Sequence, residues 1–67
     1  MRSTYEQYAY ELLWVSQTYA SGLWERACWV SKKMVERFPE LAEKRTSIYE
    51  WAWQVMYSHA ELPFPVV

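Results

Sequence analysis

The chain has 67 residues, is 52% hydrophobic and 19% aromatic, and carries a formal net charge of −1 at neutral pH. A chain this short folds as one domain, 1–67, that buries only about 60% of the surface its unfolded form exposes. Its near-neutral charge excludes a global electrostatic pull toward nucleic acid or an anionic membrane.

The usual staples of a small domain are missing. Cys28 is the only cysteine, so it has no internal disulfide partner, and Cys28 with His59 is too short a ligand set for a structural metal site. Extra burial must then come from large side chains or from a partner chain. The longest run without charge, Leu12 to Trp24, is thirteen residues, against about 20 needed to span a bilayer. Glu6 and Glu11 interrupt what would be the apolar core of a signal peptide. With a lone cysteine, that pattern makes a cytoplasmic location the expectation.

The first helix is expected at about 4–20. Ser3 and Glu6 stand at capping-box spacing, which satisfies the free N–H groups of a helix start. Tyr5, Tyr8, Leu12, Val15 and Tyr19 then recur at three and four residues, beside Ala9, Leu13, Ser16 and Ala20. Gly22 ends this stripe as the residue suited to a left-handed C-cap. A second helix follows at about 23–37, with Leu23, Ala27, Val30, Met34 and Phe38 on one face. Because the two stripes are nearly in phase, one helix running through Gly22 is the competing reading.

Phe38-Pro39 breaks the second helix, since proline disfavours the helical conformation of the residue before it. The third helix is expected at about 40–60, carrying Leu41, Ile48, Ala52, Val55 and His59. Ser47 and Glu50 also have capping-box spacing, so a short turn at 40–45 before a separate helix competes with it. The tail, 61–67, contains Pro63 and Pro65 and reads as extended. The fold class is therefore all-α: a helical hairpin plus a third helix in a small three-helix bundle, with a Pro-rich C-terminal tail.

Winding each helix at about 100° per residue shows which aromatics miss the core. Trp14, with Tyr10 beside it, falls opposite Tyr5. In the second helix Leu23, Trp24, Ala27, Cys28, Val30, Met34, Val35 and Phe38 make one face, and Trp29 falls opposite it among Glu25, Arg26, Lys32, Lys33 and Glu36. The third helix has an apolar arc of about 240°, far wider than the stripe of about 100° that a bundle helix needs. Tyr49, Trp53 and Tyr57 line one margin of it. Either this helix is central and covered on several sides, or a partner covers it. Trp and Tyr bury large area at small rotamer cost, which makes them the residues of interface centres. Tyr10, Trp14, Trp29, Tyr49, Trp53 and Tyr57 are accordingly the candidate interface residues. The expected partner is a second copy in a twofold dimer, or a larger protein on which the chain docks as a regulator.

Chemistry is not expected. A single glycine cannot build a phosphate-cradling loop, Asp is missing, and Met56 stands where a Glu-x-x-His pair with His59 would need its carboxylate. Cys28 reads as a small hydrophobe and His59 as a helix-end residue. No catalytic, cofactor-binding or metal-binding residue is assigned. The rival class is a nucleic-acid-binding regulator. Six of the seven basic residues lie between Arg26 and Arg45, and Arg26, Trp29, Lys32, Lys33 and Arg37 would interleave an aromatic with phosphate-binding charges. Glu25 and Glu36 in the same patch count against it.

Overall fold

The computed structural model describes residues 3–58. They form three α-helices, with no strand among them: α1 at Thr4–Tyr19, α2 at Leu23–Arg37 and α3 at Arg45–Ser58. A 3-10 helix, Pro39–Lys44, joins α2 to α3. His59 and Ala60, expected at the end of the third helix, and the tail lie outside the described residues.

Ser3 caps α1 as its spacing implied. Its hydroxyl accepts from the Glu6 N–H at 3.1 Å and donates to Glu6 Oε1 at 3.3 Å. Gly22 does break the helices, but not in the expected way. The C-cap of α1 is Ala20, in extended conformation, whose N–H returns to Ser16 O at 2.9 Å. Gly22 is instead the N-cap of α2, also extended (φ −92°, ψ 153°), and its carbonyl accepts from Arg26 N–H. Neither Ala20 nor Gly22 takes the left-handed conformation.

The break after α2 falls at Phe38, whose N–H still closes onto Met34 O at 2.8 Å. Pro39 then fixes the first φ of a tighter turn, and Leu41 N–H bonds Phe38 O in the i→i+3 pattern at 2.9 Å. The expected α-helix from residue 40 is thus a 3-10 helix up to Lys44. It runs directly into α3, because Arg45 already has helical angles (φ −58°, ψ −42°). Ser47 is inside α3, not at its cap.

The helix in the middle is α2. It packs against both α1 and α3, while α1 and α3 scarcely meet at the level of the backbone. The wide apolar arc of α3 therefore does not mark it as the central helix. The buried positions of α1 are Glu6, Ala9, Leu12, Leu13 and Ser16. The expected stripe was turned too far: Tyr5, Val15 and Tyr19 are exposed. α2 buries Ala27, Val30, Ser31 and Met34, and α3 buries Ile48, Trp51 and Ala52. Trp51 had not been expected in the core. Phe38 closes one end, with the rings of Tyr5 and Tyr8 edge-on to it at 4.8 and 5.6 Å.

Gly22 offers a stability test. A Cβ there would meet only the Glu25 side chain, at 3.8 Å, an ordinary contact. Gly22→Ser should supply the missing side-chain cap and restrict the unfolded chain, gaining about 0.5–1 kcal/mol in denaturant unfolding. A loss of stability would show that the extended geometry at Gly22 is wrong.

A second test concerns the tie between α1 and the 3-10 helix, where the Tyr5 hydroxyl donates to Glu40 Oε2 at 2.8 Å. A backbone hydrogen bond at Glu40, and then the Tyr5 hydroxyl, hold the Glu40 carboxyl below its usual range. The same contact with Glu40, followed by desolvation and the carboxylate charge, pushes the Tyr5 phenol up. The tie is therefore complete above the ordinary glutamate range and is lost as pH falls through the lowered Glu40 value. At the alkaline end it is complete below the ordinary tyrosine value and is lost as pH rises through the raised Tyr5 value. In Tyr5→Phe the Glu40 midpoint, followed by NMR, should move up part of the way toward an ordinary glutamate. An unmoved midpoint would remove the bond from solution.

Candidate interaction surface

The six candidate interface residues do not form one surface. Tyr49, Trp53 and Tyr57 form a ladder along α3, with the rings of Trp53 and Tyr57 edge-on at 5.6 Å. A fourth ring joins it from α2: Trp24 lies 4.9 Å from Trp53 and stacks near Tyr49 at 6.2 Å. Tyr49 and Trp53 are half-buried, whereas Trp24 is 55% and Tyr57 70% exposed. Aromatic pairs at such spacings hold one another in place, so the ridge presents fixed rings. Sequence winding had put Trp24 on the core face and left it off the candidates. It does lie on the side of α2 that faces α3, but in the first turn, past the buried stretch that begins at Ala27.

The other three candidates are dispersed. Tyr10 is half-buried, its ring edge-on to Trp51 at 5.5 Å across the seam between α1 and α3. Trp14 is 75% exposed, on the outer face of α1. Beside it Gln7, Tyr10, Glu11 and Val15 complete a shallow open hollow. Trp29 is half-buried and not out on a polar face. It stacks on Tyr19 of α1 at 5.2 Å with the planes 15° apart, and Lys33 Nζ lies 5.9 Å over its ring.

The residues proposed for phosphate contact are largely engaged elsewhere. Arg26 turns inward. Its Nε donates to Ser16 Oγ at 2.9 Å and its Nη2 to the Leu13 carbonyl at 3.0 Å, while Ser16 Oγ donates to the same carbonyl at 2.7 Å. These acceptors sit in the last two turns of α1, where the helix dipole favours a cation. Lys33 pairs with Glu36 at 3.3 Å. The Arg37 guanidinium lies over Phe38 at 4.8 Å and near Tyr8 at 5.9 Å. Lys32 is exposed. Trp29, the ring meant to stack a base, has one face covered by Tyr19.

Cys28 is exposed one turn from Trp24, in a groove shared with Ser31, Arg45, Thr46 and Tyr49. Among the described residues no three His, Cys, Asp or Glu side chains gather into a possible metal site. No helix among them is long and apolar enough to cross a membrane.

Arg26 gives the test of this geometry. Arg26→Ala should cost about 1–2 kcal/mol of folding stability, because it leaves the Ser16 and Leu13 acceptors without their charged donor. Lys33→Ala, which removes one exposed pair, should cost less than about 0.5 kcal/mol. Equal small effects would place Arg26 in solvent.

Comparison with known protein families, with curated proteins and with solved structures finds no match to this chain.

Proposed function

We propose that this chain is a protein–protein interaction module that pairs with a second copy of itself through the Trp24–Tyr49–Trp53–Tyr57 ridge. The observation that carries the reading is the continuity of that ridge: four rings linked in the order Tyr49, Trp24, Trp53 and Tyr57, with Tyr49 and Trp53 half-buried and Trp24 and Tyr57 exposed. Each such ring carries about 150–250 Å², so the part still open to solvent is roughly 300–400 Å². That is the scale at which an apolar patch on a small protein is often functional. It is also about half of the ~800 Å² per partner of a standard interface. The ridge would supply the centre and its polar neighbours, such as Glu50 and Gln54, the rim.

Self-association fits because the four rings bear no charge, so two copies can meet across a twofold axis without like-charge repulsion. It would also give a chain of this size the burial it cannot reach alone. The module is not an enzyme in this reading, and it works in a reducing cytoplasm, where an exposed thiol such as Cys28 persists as a thiol.

Light scattering on a sizing column, at tens of micromolar chain, should return at least twice the 8.2 kDa chain mass. Trp53→Ala should raise the dissociation constant about a hundredfold, as expected for loss of a central aromatic. Trp14→Ala, on the far face of α1, should leave it unchanged. A monomer whose melt is independent of dilution would defeat self-pairing. Equal effects of Trp14→Ala and Trp53→Ala would move the interface off the ridge.

A further inference from the structure

We infer that the cleft between α1 and α3 is a binding site for a small apolar monocarboxylate, a single ring or short chain ending in one acid group. In an up-down-up bundle the first and third helices run alongside each other and normally close the core between them. Here they scarcely meet. Tyr10 and Trp51 touch across the seam, and toward the 3-10 helix a cleft of about 280 Å³ stays open. Its floor is Met34, Ile48 and Trp51, all buried, and its walls are Tyr5 and Leu41. The rings are held in place. Tyr5 stands edge-on to Phe38 at 4.8 Å and its hydroxyl donates to Glu40, while Tyr10 braces Trp51 at 5.5 Å. A ligand meets a site already shaped, with little ordering left to oppose binding.

Size and lining select the body of the ligand. Sites for drug-sized molecules run from about 300 to 1,000 Å³, so this one takes something smaller. A thioether, two aliphatic side chains and two aromatic rings offer dispersion and ring contacts and few hydrogen bonds. The part that enters is therefore apolar.

Charge selects its head. Among the described residues Lys44 is the one charged group that lines the cleft, and it has no ion pair there. It stands exposed at the rim. Ser47 follows three residues on, on the same side of the helical turn, with a hydroxyl able to donate. Glu40 and Glu43 share the 3-10 helix with Lys44 but do not line the cleft, and Glu40 is engaged by Tyr5. One ammonium and one hydroxyl suit a single carboxylate. A phosphate is better matched by the arginine fork, and no arginine lines this cleft. None of the lining residues belongs to the aromatic ridge, so the site stands whether or not the chain self-associates.

Three probes of one shape test the inference: 3-phenylpropionate, its neutral amide and 3-phenylpropylamine, each titrated into the full chain and followed by NMR. The acid should shift the Met34 ε-methyl and the Ile48 δ-methyl saturably, with a dissociation constant below about 1 mM. The amide should bind about fivefold more weakly, as expected for loss of an ion pair at an exposed rim, and the amine more weakly still. Lys44→Met keeps the stem and removes the charge at an exposed position. It should bring the acid down to the affinity of the amide and leave the amide unchanged. No saturable shift from the acid up to about 10 mM would overturn the inference. So would equal binding of acid and amide, or tighter binding of the amine. Acid binding that Lys44→Met leaves untouched would also count against it, because the carboxylate would then sit elsewhere.

Discussion

The positions deepest inside this protein are occupied by small side chains, and the placement of nearly everything else follows from that. Ser16, Ala27, Val30 and Ala52 have no exposed surface, and Ala9 and Ser31 have almost none. The largest completely enclosed side chain is a valine. Close packing around such small residues leaves little room beside them for a further ring. Of the twelve aromatic residues described, only Phe38 and Trp51 are buried, both within the core cluster. The others are displaced to the seams between helices and to the surface. Ala, Ser and Val thus line the most enclosed positions, and Leu12, Leu13, Met34, Phe38, Ile48 and Trp51 complete the core around them.

The same constraint shapes the polar interior. A serine at the α1–α2 contact brings a hydroxyl into the core, and that hydroxyl must be bonded. Ser16 meets the requirement by donating to Leu13 O and accepting from Arg26. Ser31 does so by donating to the Cys28 carbonyl at 2.8 Å within its own helix. The first solution draws a cation out of the basic stretch of α2 and fixes it against α1.

Much of the architecture was legible from punctuation. Ser3 with Glu6, Gly22 and Pro39 mark local events whose chemistry is carried by the residues themselves, and the first two helices fall where those marks put them. The 3-10 helix was less legible, because leucine, alanine and glutamate at 40–43 favour an α-helix equally well. Its form is set by how Phe38 is held at the end of α2. The side-chain placements show a different limit. Winding a helix gives the angle of Trp29 relative to its neighbours in sequence, but not that Tyr19 of another helix waits beside it. Trp24 was read as core for the converse reason: its angle is right, but it lies one turn beyond the place where small residues let the helices close. Trp14 was placed correctly because no second element lies over that face of α1. The ridge could have been found whole by asking which aromatics at the start of α2 face the margin of α3.

The dispersal of the tryptophans gives the molecule an optical depth scale. Trp14 and Trp24 stand largely in solvent, Trp29 and Trp53 are half-covered by neighbouring rings, and Trp51 is 4% exposed. Emission from this chain is therefore a sum of indoles in graded surroundings, several of them beside a tyrosine that can pass excitation to them. A neutral collisional quencher would silence the outer pair first and leave a bluer residue of light dominated by Trp51. The colour that survives quenching reports the state of the centre, while the colour that is lost reports what covers the outside.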